Sequence, residues 1–239
     1  MRLLSGHPQI VARQDYPLEF RPFAFALFPD DPELLSSTAP DIPQAEAFSV
    51  SDALSLYRAI AERVGKSPRF FVEKLTSRLD PQRIVSATPD ARFLWLVRDP
   101  RDVLLSARAF DRKRGFRGFR EQDGDSDETV VLKYAEGFRR LIDSAERTDA
   151  RLVRYEQLIG SNGHAALADV FSWLELDADE TVVENAFRAA MNAEDGRHRT
   201  SSSPQQSIDR WRSEMSDHLI DLYARHFALI MPKLGYELR

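Results

Sequence analysis

The sequence predicts an α/β fold in three layers, with a mostly parallel sheet flanked by helices. Segments with helix and strand patterns alternate along the chain, which favours parallel strands joined by crossover helices. A chain of 239 residues with 43% hydrophobic content can bury one sizeable core. We find no internal repeat and no second domain, so residues 1–239 are interpreted as a single domain.

The most informative stretch runs from a predicted strand into a predicted helix. Residues 93–97 are all apolar, as in a strand that is covered on both faces. Pro100 suits the first turn of a helix, and Asp99 is expected to cap that helix. Arg98 then lies at the carboxyl end of the strand, where open α/β sheets bind ligands. Ser106 follows eight residues later, about two helical turns on, so both side chains can face one phosphate.

The stretch from Arg92 to Ser106 resembles the 3′-phosphate-binding segment of sulfotransferases that use 3′-phosphoadenosine-5′-phosphosulfate (PAPS). The resemblance implies a sulfotransferase fold related to P-loop NTPases, with Arg98 and Ser106 holding the 3′-phosphate. It also implies transfer of a sulfuryl group from PAPS, as co-substrate, to an acceptor hydroxyl or amine. The alternative is an ordinary strand-to-helix turn in which Arg98 pairs with Asp102.

Two later segments resemble other parts of the PAPS site. Residues 155–158 are similar to the family's Tyr-Glu-Asp-Leu segment, which places Tyr155 beside the adenine. Residues 197–212 resemble the loop that closes over PAPS in bacterial sulfotransferases, although Asp209 stands where glycine is usual. A helix is expected over residues 206–213. The residues that would complete the phosphate cage are Arg199, Thr200, Ser203 and Arg210.

Lys74 is the predicted catalytic cation. It follows a predicted strand over residues 69–73 and precedes Arg98 by 24 positions. Tyrosylprotein sulfotransferases and many bacterial relatives carry a similar lysine, which contacts the sulfonate being transferred. A fixed cation suits that role, because charge spreads over the peripheral oxygens in the transition state. The alternative is a solvated lysine that pairs with Glu73.

A carboxylate near the beginning of the chain is the predicted general base. Residues 7–10 resemble the family's helix end, and the tyrosylprotein enzymes place a catalytic glutamate eight residues past the histidine. This sequence has Asp15 at that position and Glu19 close by. Either can accept the acceptor proton if it reaches hydrogen-bond distance. The alternative is that both are surface carboxylates in a loop.

The family's Gly/Ser/Thr-rich loop for the 5′-phosphosulfate is not found in the sequence. That loop normally cradles the anion with backbone amides at a helix N-terminus. Met1 falls just after the position of the loop, so we expect an N-terminally shortened sulfotransferase with weak or no activity. The alternative function is a catalytically impaired protein that binds a nucleotide or a partner. A third interpretation is a structural domain without a ligand.

Composition narrows the other possibilities. The formal charge of −5 argues against a general nucleic-acid binder. No apolar run is long enough to span a membrane, and no secretory leader is found. The absence of cysteine excludes disulfides and fits a cytoplasmic protein. The histidines lack metal-ligand spacing, so no metal is expected.

A kinase of related fold would need a Walker lysine and magnesium-binding carboxylates, which are missing. The acceptor is a small molecule, carbohydrate or peptide, and nothing in the sequence decides among them.

Overall fold

The computed structural model describes residues 2–12, 21–28, 49–75, 80–115, 118, 120–191 and 200–238. Chain packing divides the protein into two compact units. The first contains residues 1–91 and 164–193, and the second contains residues 92–163 and 194–239. The expectation of a single domain stays a prediction, and each unit is described by itself below.

The described residues of the first unit form six helices and two short strands. In chain order these are α1 (Arg2–Ser5), β1 (Ile10–Ala12), α2 (Pro22–Leu27), α3 (Val50–Arg63), β2 (Phe70–Val72), α4 (Pro81–Ala87), α8 (Gly163–Trp173) and α9 (Glu180–Met191). Strands β1 and β2 are parallel, with Val11 opposite Phe71. Helix α3 begins at its capping residue Ser49, whose side chain accepts the Asp52 amide.

The core of the first unit forms around β1, whose three residues are fully buried. Val11 packs against Tyr57 and Ala61 of α3. The Tyr57 ring stacks on Phe71 of the neighbouring strand, with ring centroids 4.8 Å apart. The helix therefore covers one face of the strand pair through an aromatic contact, which adds to the burial of apolar area.

A buried carboxylate joins the end of β2 to two helices. Glu73, the residue after β2, accepts hydrogen bonds from the amides of Phe23 (2.6 Å) and Ala24 (2.9 Å) at the start of α2. It also accepts a short hydrogen bond from the hydroxyl of Tyr57. Burial raises the pKa of Glu73, while the three donors act in the opposite direction. The carboxylate thus fixes where strand β2 ends.

In the described residues the second unit contains the other two strands, six α-helices and one 3₁₀ turn. They are β3 (Leu94–Val97), α5 (Pro100–Arg114), α6 (Asp127–Arg147), β4 (Arg151–Arg154), α7 (Tyr155–Ile159), a 3₁₀ turn (Gln205–Ser207), α10 (Trp211–Glu214), α11 (Asp217–His226) and α12 (Met231–Leu234). Strands β3 and β4 are parallel, with Trp95 opposite Leu152. All strand pairing in the described residues is parallel, as predicted, and the strands form two separate pairs.

The core of the second unit packs α5, α6 and α11 on β3. Val97, Leu104, Val131 and Tyr223 all belong to it and are at most 2% exposed. The prediction that the apolar stretch is covered on both faces is wrong for Leu96, which is 51% exposed. An unbroken apolar run marks a strand but does not report how each face is covered. None of the described helices is long and apolar enough to cross a bilayer.

Replacing Tyr57 by phenylalanine tests the anchoring of Glu73. The ring packing stays, but the buried carboxylate loses one donor, so Tyr57→Phe should lower the free energy of unfolding by about 1–3 kcal/mol. Urea unfolding followed by circular dichroism measures this change. Ser55→Ala, on the exposed face of α3, should change the free energy by less than about 0.5 kcal/mol. Equal effects of the two substitutions would contradict the assignment.

Candidate active site

Strand β3 leads directly into helix α5, with only Arg98 and Asp99 between them. Asp99 is the N-cap of α5, and its Oδ1 accepts the Arg101 amide at 2.9 Å. Pro100 occupies the first turn, where its missing N–H costs nothing. Arg98 therefore lies between the last strand residue and the cap. The predicted strand–turn–helix arrangement is present.

Arg98 points toward the segment that precedes α10. Its Nη2 donates a short hydrogen bond to the carbonyl oxygen of Ser207. Its guanidinium carbon lies 5.1 Å from the centroid of the Tyr155 ring, within cation–π distance. The Tyr155 hydroxyl lies 3.2 Å from the Ser207 hydroxyl oxygen. Arg98, Tyr155 and Ser207 thus form one cluster, and Ser207 is a member that the sequence patterns did not single out.

Ser106 reaches the same segment from the next turns of α5. Its hydroxyl oxygen lies 3.1 Å from that of Thr200. Ser203 lies three residues further on, where its hydroxyl accepts the Gln206 amide at 3.3 Å and supports the 3₁₀ turn. Residues 200–207 therefore contact both Arg98 and Ser106, as expected if all of them serve one site.

Arg210 is held beside this segment by an ion pair. Its Nε and Nη2 contact the two carboxylate oxygens of Glu214 at 2.7 and 2.8 Å, while Nη1 is buried without a hydrogen-bond partner in the described residues.

The predicted helix over residues 206–213 is wrong. Ile208 is extended and Asp209 has φ of 55°, so the chain turns before α10 begins. Asp209 stands at the position where the family that the sequence resembles usually has glycine. The left-handed backbone of Asp209 is the conformation that glycine favours.

A buried ion pair ties this region to the carboxyl end of the chain. The Arg101 guanidinium contacts both Asp99 oxygens, at 3.0 and 2.7 Å, and the two side chains are 3% and 7% exposed. The same guanidinium donates to the carbonyl oxygens of Glu237 (3.0 Å) and Leu238 (3.2 Å). It also lies 3.5 Å from the Trp211 ring centroid. Sequence reasoning missed Arg101, since nothing in a strand–turn–helix pattern reveals a contact with residues more than a hundred positions away.

Glu156 fixes the other side of the same turn. One of its oxygens accepts the Asp99 amide at 3.0 Å, and the other accepts the Tyr236 hydroxyl at 2.6 Å. Burial, followed by the hydrogen bond to Glu156, raises the pKa of Tyr236 well above its usual range. Both carboxylate oxygens are therefore occupied, and Glu156 orients the strand end.

Asp102 is a buried carboxylate in the first turn of α5. Its Oδ1 accepts the Trp211 amide at 3.0 Å, and the Asp209 backbone amide also stabilises the charged carboxylate, although Oδ2 makes no hydrogen bond of ordinary geometry in the described residues. Burial raises its pKa to about 6, while the Trp211 amide and the Arg98 charge act in the opposite direction. No ion pair between Arg98 and Asp102 is formed in this part of the chain, so the pairing expected for an ordinary turn is not observed.

The predicted catalytic lysine belongs to the first unit, whereas the described residues that are predicted to bind the cofactor belong to the second. Lys74 follows Glu73 in the first unit and is exposed. The described contacts of Glu73 are with α2 and Tyr57, so no ion pair with Lys74 is seen there. Asp15, Glu19 and Arg199 lie outside the described residues.

Comparison with known proteins identifies the family. A sequence model of the sulfotransferase family matches residues 1–180, about three quarters of the chain. The chain belongs to the sulfotransferase family. The matched region includes Lys74, Arg98, Ser106 and Tyr155, and it ends before residues 200–210.

Solved structures extend the likeness to the fold of the whole chain. The sulfotransferase domain from the curacin biosynthetic pathway superposes with a TM-score of 0.59 at 15% identity, covering 100% of this chain and 93% of that domain. At this identity the likeness shows the fold alone, and it confirms the predicted α/β sulfotransferase fold. A search of curated proteins finds no match to this sulfotransferase.

The described residues do not form a metal centre. No group of three or more histidine, aspartate or glutamate side chains among them is placed to hold an ion. The chemistry that the cluster offers is instead cationic and hydroxylic, which suits phosphate oxygens.

Two arginines that lie close to the Trp211 ring test which contact stabilises the second unit. Arg101→Met leaves Asp99 buried without its ion-pair partner, so the free energy of unfolding should fall by about 3–5 kcal/mol. Arg212 lies 4.4 Å from the same ring but its side chain is 58% exposed. Arg212→Ala should cost less than about 1 kcal/mol. Chemical denaturation of both variants measures the difference, and similar losses would refute the assignment.

Proposed function

We propose that this sulfotransferase moves a sulfuryl group from PAPS to an acceptor hydroxyl or amine. The observation that supports the proposal is the convergence of Arg98, Ser106, Tyr155 and Thr200 in the second unit. A guanidinium and hydroxyls gathered at the carboxyl end of a parallel strand suit a phosphate group. Membership of the sulfotransferase family supplies the reaction class.

In this proposal the 3′-phosphate of PAPS lies against Arg98 and Ser106. Thr200 already contacts Ser106, so its hydroxyl can turn toward the same oxygens. Ser203, Arg199 and Arg210 complete the cage, and Tyr155 lies beside the adenine. The charge-assisted bonds from the three arginines supply most of the affinity, while the hydroxyls fix the orientation of the phosphate.

The proposed reaction is an in-line displacement at sulfur. The acceptor oxygen or nitrogen forms a bond to sulfur, and the bond from sulfur to the phosphate oxygen breaks, releasing adenosine 3′,5′-bisphosphate. Asp15 or Glu19 takes the acceptor proton. Lys74 stabilises negative charge on the sulfuryl and leaving oxygens. The proposed step uses no metal ion, and a cytoplasmic location stays a prediction.

Incubation with PAPS and a panel of phenol, sugar, peptide and amine acceptors tests the function. Mass spectrometry should detect an acceptor that gains one sulfuryl group, and calorimetry should detect binding of adenosine 3′,5′-bisphosphate. Binding without any product would favour a non-catalytic nucleotide-binding protein. The absence of both would overturn the proposal.

Substitution of the two anchors should weaken bisphosphate binding to different degrees. Arg98→Ala removes a charged donor and should raise Kd about a hundredfold, because losing such a pair costs roughly 2–5 kcal/mol. Ser106→Ala removes one hydroxyl and should raise Kd about tenfold. Arg139→Ala, an exposed arginine of α6, controls for net charge and should leave Kd unchanged. Calorimetric titration gives the three values, and an unchanged Kd for Arg98→Ala would exclude this site.

Lys74 should affect turnover without affecting donor binding. Lys74→Ala should lower kcat by about 10²–10³, the effect of losing one preorganised donor to transition-state charge. The Kd for adenosine 3′,5′-bisphosphate should stay the same, because that product lacks the sulfuryl group. Lys233→Ala, an exposed lysine that pairs with Glu146 at 2.9 Å, is the matched control. Steady-state turnover of PAPS by the two variants measures the effect. Equal rates would contradict a catalytic role and indicate that Lys74 is a solvated lysine.

A further inference from the structure

Four buried polar atoms near the arginine cluster have no hydrogen-bond partner in the described residues. They are Arg98 Nε, Asp102 Oδ2, Arg210 Nη1 and Trp211 Nε1. Asp102 accepts the Trp211 amide at 3.0 Å, and the charges of Arg98 and Arg210 both act on its carboxylate. Asp102 is fully buried and Trp211 is 4% exposed. Unpaired buried polar atoms are costly, so a cluster of them points to a missing partner.

The unpaired N–H groups in this cluster need an acceptor, whereas the unpaired oxygen of Asp102 needs a donor. The free N–H groups of Arg98 and Arg210 suit a phosphate oxygen. An ionised Asp102 beside that oxygen would repel it, because two negative charges in a buried site cannot be close without a large cost. Adding a proton to Oδ2 removes the repulsion and also turns the unpaired acceptor into a donor.

We propose that Asp102 is a proton-linked positioning residue, which takes up one proton when the phosphate of the sulfuryl donor binds to Arg98 and Arg210. The proton comes from solvent and binds Oδ2, which then donates to a phosphate oxygen. No other bond is made or broken. This inference rests on the proposed function, because it needs the donor's phosphate at the arginine cluster.

The surroundings of Asp102 favour such a change at moderate pH. Burial raises its pKa, and Asp99 raises it further, whereas Arg98 and the backbone amides of Trp211 and Asp209 lower it. Arg210 also acts on Asp102, although its charge is shared with Glu214. The resulting pKa is about 6. A bound anion adds negative charge and raises the pKa again, so the bound state keeps the proton at neutral pH.

Asp102 also controls where Arg210 lies. Its Oδ1 holds the amide of Trp211, the first residue of α10, and Arg210 is the N-cap of that helix. The carboxylate thus links α5, which carries Ser106, to the turn that carries Arg210. It acts on the phosphate through the position of an arginine and through its own proton.

The test compares binding of adenosine 3′,5′-bisphosphate to the native protein and to Asp102→Asn. Asparagine keeps the oxygen that accepts the Trp211 amide and cannot ionise. At about pH 7.5 the variant should bind about tenfold more tightly than the native protein, and at about pH 5.5 the two should bind equally, since a pKa change of one unit corresponds to tenfold. A purely structural role predicts weaker binding of the variant at both values. Asp111→Asn, a buried aspartate of the same helix held by Arg114 and Gly118, should follow the native protein.

Proton uptake by the native protein gives a second readout that needs no variant. Calorimetry near pH 7 in buffers of different ionisation enthalpy should show uptake of about half a proton or more on binding. The ligand's own phosphate titrates near pH 6 and would give only release. Bisphosphate binding without proton uptake, or with a variant-to-native affinity ratio independent of pH, would overturn the inference and leave the proposed function intact. No bisphosphate binding at either pH would overturn both.

Discussion

The ion pair between Asp99 and Arg101 is the interaction on which the candidate site depends. It joins the turn after β3 to the carbonyl oxygens of Glu237 and Leu238 and to the ring of Trp211. Arg98 lies on that turn, and the chain that supplies Thr200 and Ser207 leads into Trp211. Without the pair, a buried aspartate would stand unpaired and the terminal segment would lose its attachment. The position of Arg98 relative to residues 200–207 is therefore set by charges outside the site itself.

Both units fix a strand end with a carboxylate and a tyrosine. In the first unit Glu73 accepts Tyr57 and the first amides of α2. In the second unit Glu156 accepts Tyr236 and the amide that follows Arg98. A cation stands beside each anchored position, Lys74 in one unit and Arg98 in the other. Because the two carboxylates are occupied by other donors, neither cation forms a carboxylate ion pair in the described residues. In the proposed function both charges would act on the sulfuryl donor.

Local patterns predicted the elements near the site well, because their causes are local. The cap at Asp99 and the proline after it depend on neighbouring residues, and the structure confirms both. The phosphate expected between Arg98 and Ser106 stays a prediction. The helix expected over residues 206–213 was wrong because an amphipathic pattern does not reveal that Asp209 adopts a left-handed backbone. Arg101 and Ser207 were missed for another reason. Their roles come from contacts with distant segments, and a single sequence does not show such contacts.

The unpaired atoms around Asp102 distinguish this cluster from the two anchored strand ends. At those strand ends each buried carboxylate accepts hydrogen bonds from donors within the protein, as Glu73 does from Phe23 and Tyr57 and Glu156 does from Tyr236. Around Asp102, by contrast, one N–H group of each of two arginines and one carboxylate oxygen have no hydrogen-bond partner in the described residues. Such an arrangement is less stable than a satisfied one when no ligand is bound. In the proposed function an anion would supply the missing acceptor, so the atoms that reduce stability here would contribute affinity for a phosphate group.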